Sequence, residues 1–152
     1  IHSWQERGWH YKTYREALGD QPTLHVDHLD SEKPVQRYDD IQRAFRRSRL
    51  YLHDGEQEYT ITLIEAMMTG MPVVSFRLPG IERYVVHGEN GFVVDNAKQL
   101  RECCRMLLDD ADLARRMGAV GREMALRDYN EDRWRRDWIT AIDRFVRPRA
   151  RR

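Results

Sequence analysis

Short apolar runs alternate with helical patterns along this chain, the order that an α/β parallel sheet writes into a sequence. Leu50 to His53 is an apolar run that closes at Asp54-Gly55, the sign of a buried strand entering a turn. Pro72 to Phe76 and Gly91 to Val94 repeat that form. Ile1 to Ser3 reads as the remnant of a first strand and Thr23 to Leu29 as a further one, which makes about five mainly parallel strands. Helices are predicted near His10 to Leu18 and over Tyr38 to Arg47, where Ile41, Ala44 and Phe45 point inward. Leu100, Cys103, Cys104, Leu107 and Leu108 recur at i, i+3, i+4, i+7 and i+8, the stripe of an amphipathic helix. Leu113, Met117, Val120 and Met124 form a second stripe. Trp134, Trp138, Ile142, Phe145 and Val146 form a third, in a helix that begins near Asn130. Pro148 ends it, so the chain divides into one domain over residues 1–146 and a basic tail over 147–152.

Candidate chemistry concentrates between Glu58 and Val74. Thr62-Leu-Ile-Glu65 has the spacing of a capping box, which predicts Thr62 as N-cap and Glu65 at the third helical position. Gly70 stops this helix and Pro72 forbids its continuation, so Val73 starts the next strand. In a parallel sheet the loop after a strand and the following helix N-terminus face the ligand crevice, where unfilled N–H groups attract phosphate. Glu65 stands at that edge, placed to accept hydrogen bonds from a sugar hydroxyl.

The segment Glu65-Ala66-Met67-Met68-Thr69-Gly70-Met71-Pro72-Val73 resembles the donor-binding motif of GT-B glycosyltransferases, in particular the retaining enzymes of family 4. That family writes Glu, seven residues, Glu, then Ala-Met-Ala-x-Gly-x-Pro-Val. Gln57, between Glu56 and Glu58, stands where the family has its first glutamate, and Thr60 stands where it has a glycine. Similarity continues through Gly80-Ile81, Gly88 to Val94, Asp112-Leu113-Ala114 and Gly118-x-x-Gly121-Arg122, so it spans residues 40–146. At the front, Glu6-Arg7-Gly8 and Glu16-Ala17-Leu18 are similar to the family's Glu-Lys-Gly and Glu-Ala-Leu. Arg7 then falls where the family has a lysine on the donor diphosphate, and His2 where it has an arginine.

The resemblance implies a Rossmann-like three-layer domain, one half of a GT-B fold. It further implies a hexosyltransferase that uses a UDP- or GDP-sugar, with retention, on a sugar or glycolipid acceptor, as in polysaccharide biosynthesis. An N-terminal acceptor domain would complete the enzyme, and a chain that starts at Ile1 without a methionine reads as a piece of something longer. Carried onto this chain, the donor-binding residues are Arg7, Thr60, Ile61, Thr62, Glu65 and Gly80, with Gln57 and Glu65 as the catalytic pair. No metal or other cofactor is expected, because the helix dipole and Arg7 take up the diphosphate charge. Compared with the family, a strand and a helix are missing ahead of Tyr38.

Composition narrows the alternatives. Of 152 residues, 26 are Lys or Arg and 25 are Asp or Glu, a formal net charge of +1, so no global field argues for nucleic acid. Cys103 and Cys104 are adjacent and build no disulfide framework, which suits a reducing, cytoplasmic compartment. No apolar run approaches the length of a membrane span, about 18 residues. The RPRARR tail reads as an unstructured end, or as a peripheral contact with anionic lipid at a membrane. His25 and His28 would point to opposite faces of a strand, which argues against a metal pair.

Each site residue also has a plain reading: Glu65 a cap, Arg7 a surface arginine, Gln57 a turn residue, Pro79-Gly80 an ordinary turn. Gln57 and Thr60 keep a second function open, a nucleotide-sugar-binding or scaffolding domain without catalysis. A receiver-type domain would use Asp54 and Ser75, but the acidic pair it needs at the first strand is missing. Neither G-x-G-x-x-G nor G-x-x-x-x-G-K occurs, which removes dehydrogenase and P-loop readings.

Overall fold

The computed structural model describes residues 16–20, 38–53 and 60–146. The strands expected at Ile1–Ser3 and Thr23–Leu29 lie outside the described residues, as does the tail over 147–152. After a short helical stretch over 16–18, the chain forms α1 (Tyr38–Arg47), β1 (Tyr51–His53), α2 (Ile61–Met68) and β2 (Val73–Phe76). A 3-10 turn (Ile81–Arg83), β3 (Gly91–Val94), α3 (Ala97–Asp109), α4 (Ala111–Asp128) and α5 (Glu131–Val146) follow.

The three strands pair in parallel in the order β1-β2-β3, with His53 opposite Ser75 and Val74 opposite Phe92. Every strand residue is buried. That is why these strands read as continuous apolar runs: helices cover both faces of a parallel sheet, so no polar face alternates. Tyr51, Val73 and Val93 pack with α2 and the 3-10 turn in one cluster. Leu52, Val74, Phe92 and Val94 pack with Leu100, Cys104 and Leu107 of α3 in the other. The result is three layers, with α4 contributing Ala125 to the first cluster and Ala114 and Met117 to the second.

Caps fix the helix ends. Asn96 Oδ1 accepts from the Gln99 amide at 3.0 Å while Gln99 Oε1 accepts from the Asp95 amide at 2.8 Å, which starts α3. Asp110 closes α3 and opens α4, its Oδ1 accepting from the amides of Asp112 and Leu113 at 2.9 and 2.8 Å. Asn130 does the same between α4 and α5: Nδ2 donates to the carbonyls of Leu126 and Arg127, and Oδ1 accepts from the Arg133 amide. Cys104 sits in the core, where burial pushes its thiol up to about 12, and Cys103 is half-buried at the edge of α3.

Two helical stripes differ from the sequence expectation. On α4 the buried face is Ala114, Met117, Gly118, Gly121 and Ala125, whereas Leu113 is only half-buried and Val120 is exposed. Close approach decides the matter, because a Cβ at Gly118 would stand 1.9 Å from the carbonyl oxygen of Gly70. Only the small-residue face lets α4 reach the turn between α2 and β2. On α5 none of the side chains described, over residues 131–145, is buried. Trp134 and Trp138 contact each other with ring centroids 6.0 Å apart, and Phe145 is 80% exposed. No helix among the described residues is long and apolar enough to cross a membrane.

Candidate functional site

The carboxyl ends of β1, β2 and β3 and the N-terminus of α2 share one edge of the sheet, the edge at which parallel α/β sheets take ligands. Thr60 holds the start of α2. Its backbone is extended, with φ −139° and ψ 151°, and its Oγ1 accepts from the Leu63 amide at 3.1 Å. That satisfies one first-turn N–H and leaves those of Ile61 and Thr62 without an intrahelical acceptor.

This geometry corrects the expected capping box. The N-cap is Thr60 and not Thr62, and Glu65 is at the fifth helical position, not the third. The Thr60-Ile-Thr62 repeat offers two hydroxyl caps, and the earlier one wins because it lets Thr62, Leu63, Ala66 and Met67 all turn into the core. Thr62 is therefore buried at 5% exposure, and its side chain does not cap the helix.

Ile61 and Glu65 are one turn apart on the same side of α2. Ile61 is 69% exposed and Glu65 half-buried, so this side of the helix faces outward. Because Cα–Cβ bonds lean toward a helix N-terminus, the Glu65 side chain leans toward the edge that carries Thr60 and Ile61. Replacing Thr60 by alanine is expected to lower stability by about 1 kcal/mol, measured by denaturant unfolding. Thr62→Ala should not reproduce a cap loss, and equal destabilisation with loss of the first turn of α2 would argue against this assignment.

Gly80 lies beyond the carboxyl end of β2 with φ +88°, a left-handed conformation that favours glycine. It opens the 3-10 turn, and fully buried Ile81 fixes that turn to the core. Arg77, between β2 and Gly80, donates from Nε to Asp95 Oδ1 at 2.7 Å and from Nη1 to Glu82 Oε1 at 3.2 Å. Its pKa is raised, first by the hydrogen bond and charge of Asp95 and then by Glu82. Motif reading missed this arginine, whose one sequence signal is its place directly after a strand.

Arg7 and Gln57 lie outside the described residues, so the structure brings together Thr60, Ile61, Thr62 and Glu65 on α2, with Gly80 on the neighbouring connection. His53, buried at the carboxyl end of β1, borders the same edge and carried no motif of its own. Ser75, which a receiver reading would use, is fully buried within β2 and donates to the Phe76 carbonyl oxygen at 2.8 Å. A groove lined by Ser48, Arg49, Gly70, Ala111, Ala114 and Arg115 opens at the opposite, amino edge.

A parallel sheet covered on both faces, with an N-capped helix start at its carboxyl edge, defines a Rossmann-like domain. The sequence profile of glycosyl transferases group 1 matches residues 31–124, and the chain belongs to that family. An uncharacterized glycosyltransferase of Haemophilus influenzae is 28% identical over 117 residues, which are 74% of this chain and 33% of that protein. The N-acetyl-alpha-D-glucosaminyl L-malate synthase of Bacillus anthracis is 28% identical over 113 residues, 72% of this chain and 29% of that protein. The chain thus spans a third or less of the length of these relatives. Among solved structures, Anabaena HepE in complex with UDP-glucose superposes with a TM-score of 0.70 at 18% identity, covering 95% of this chain and 48% of that one. This likeness establishes the fold.

Proposed function

We propose that this domain binds the nucleoside-diphosphate sugar of a glycosyltransferase, with the diphosphate at the N-terminus of α2 and a ribose hydroxyl on Glu65. The observation that carries the reading is the family's Glu-Ala-Met motif on a helix whose capped start lies at the carboxyl edge of the sheet. The amides of Ile61 and Thr62 offer the phosphate two donors backed by the helix dipole. UDP or GDP is the nucleotide; UDP-glucose in the related HepE complex supports the first. Arg7 would add the cation on the diphosphate, so that charge leaving with the nucleotide is stabilised without a metal.

In the whole enzyme, transfer of a hexose with retention to a sugar or glycolipid belongs to this reading, with a second domain holding the acceptor. The Arg-rich sequence over 147–152 supports a peripheral contact with an anionic membrane. Two departures favour a second reading, binding without catalysis. Gln57 lacks the charge that would stabilise a developing oxocarbenium ion, and Thr60 puts a side chain, committed to the Leu63 amide, where the family has a bare glycine.

Titration with UDP and GDP, followed by amide NMR, tests the site. Shifts at Ile61, Thr62 and Leu63 are expected. No change there up to millimolar nucleotide would remove the donor-site reading.

A further inference from the structure

We propose that Arg77 is a positioning residue of the donor site, locking the Gly80 turn and the β3–α3 turn into one rigid rim. This inference rests on the donor-site reading above and names a residue that the motif does not contain.

The placement follows from the sheet. His53 pairs with Ser75, so Arg77 stands two residues past a register pair, just beyond the carboxyl end of β2. Adjacent strands are about 4.8 Å apart, less than the reach of an arginine side chain. The Arg77 amide donates to the Val94 carbonyl oxygen at 2.9 Å, so its backbone is still held by the sheet. From that fixed base the guanidinium reaches Asp95 on one connection and Glu82 on the other. Gly80 lies inside the loop that Arg77 and Glu82 close, and Ile81 pins the same loop from beneath.

Two further points favour a role in binding over one in folding. The side chains of Arg77, Glu82 and Asp95 are each more than half exposed, at 56%, 56% and 54%, and ion pairs of that kind add little to stability. Their charges matter more to a ligand. Glu82 and Asp95 would repel a diphosphate at this edge, and the guanidinium between them offsets that repulsion.

The test uses the full chain, with UDP and GDP as probes in calorimetry and hydrogen exchange as a readout of the rim. Arg77→Ala should speed exchange at amides 78–83 and 95–97 at least fivefold and weaken nucleotide binding about tenfold, with the unfolding midpoint unchanged. Asp95→Asn should loosen the same rim and also weaken binding, and Arg77→Lys should recover part of the loss. If the parent binds and Arg77→Ala binds equally well, the positioning role is wrong and the donor site stands. If Arg77→Ala weakens binding while Asp95→Asn and the exchange rates are unaffected, Arg77 touches the ligand directly and the proposal is overturned. A parent chain that binds neither nucleotide overturns both readings.

Discussion

Gly118→Ala is expected to lower the unfolding free energy by about 1–3 kcal/mol, the range for forcing a methyl group into a filled interface. The added Cβ would lie 1.9 Å from the Gly70 carbonyl oxygen and 2.7 Å from its carbon. Both are backbone atoms, so no side-chain rotation relieves the clash and α4 must move away from the turn that joins α2 to β2. Arg122 of α4 also donates to the Met68 carbonyl oxygen at the C-terminal end of α2, and a displaced α4 would weaken that bond as well. In denaturant unfolding the midpoint should fall with the m-value unchanged. Val120→Ala on the exposed side of the same helix should stay within about 0.5 kcal/mol and serves as the reference. A Gly118→Ala loss no larger than this reference would mean that the two backbones do not approach so closely.

The difference between Gly118 and Val120 shows where the sequence is legible and where it is not. Apolar runs at β1, β2 and β3 announced themselves because each strand is buried on both faces, so no polar face alternates along it and only His53 and Ser75 are polar. The stripe at Leu100, Cys104 and Leu107 was equally plain, since α3 lies on the sheet through large side chains. Helix α4 instead packs against backbone, where glycine and alanine are the contact residues, and a search for large apolar residues rotates the face. At the start of α2 the pattern Thr62-x-x-Glu65 matched a capping box, yet the cap belongs to Thr60, which has leucine three residues on. Spacing alone cannot weigh the burial of Thr62, Leu63, Ala66 and Met67 that selects the earlier start. The motif still located the edge of the sheet correctly, because strand, turn and helix order are fixed by Pro72, Gly70 and the apolar runs. Arg77 was invisible for the opposite reason: its partners come from two different connections, brought together only by the pairing of β2 with β3.

Glu65→Gln should separate ligand binding from helix stability at this site. A residue at the fifth position of α2 is beyond the first turn, so its charge neither caps the helix nor meets the dipole at full strength. Glutamine keeps the volume of the side chain and an accepting oxygen, so stability should change by well under about 1 kcal/mol. A carboxylate that accepts a ribose hydroxyl makes a charge-assisted bond, and the amide replacing it keeps the shape without the charge. Nucleotide binding should weaken by roughly 1.5–3 kcal/mol, ten- to a hundredfold in dissociation constant. Thr60→Ala is the counterpart, since losing the N-cap should lower stability by about 1 kcal/mol whether or not nucleotide is present. Both variants are measured by denaturant unfolding and by calorimetry with UDP and GDP. Should Glu65→Gln destabilise the fold as Thr60→Ala does and leave affinity untouched, Glu65 is a structural residue. The phosphate would then be held by the amides of Ile61 and Thr62 alone, with no side chain of α2 reading the ribose.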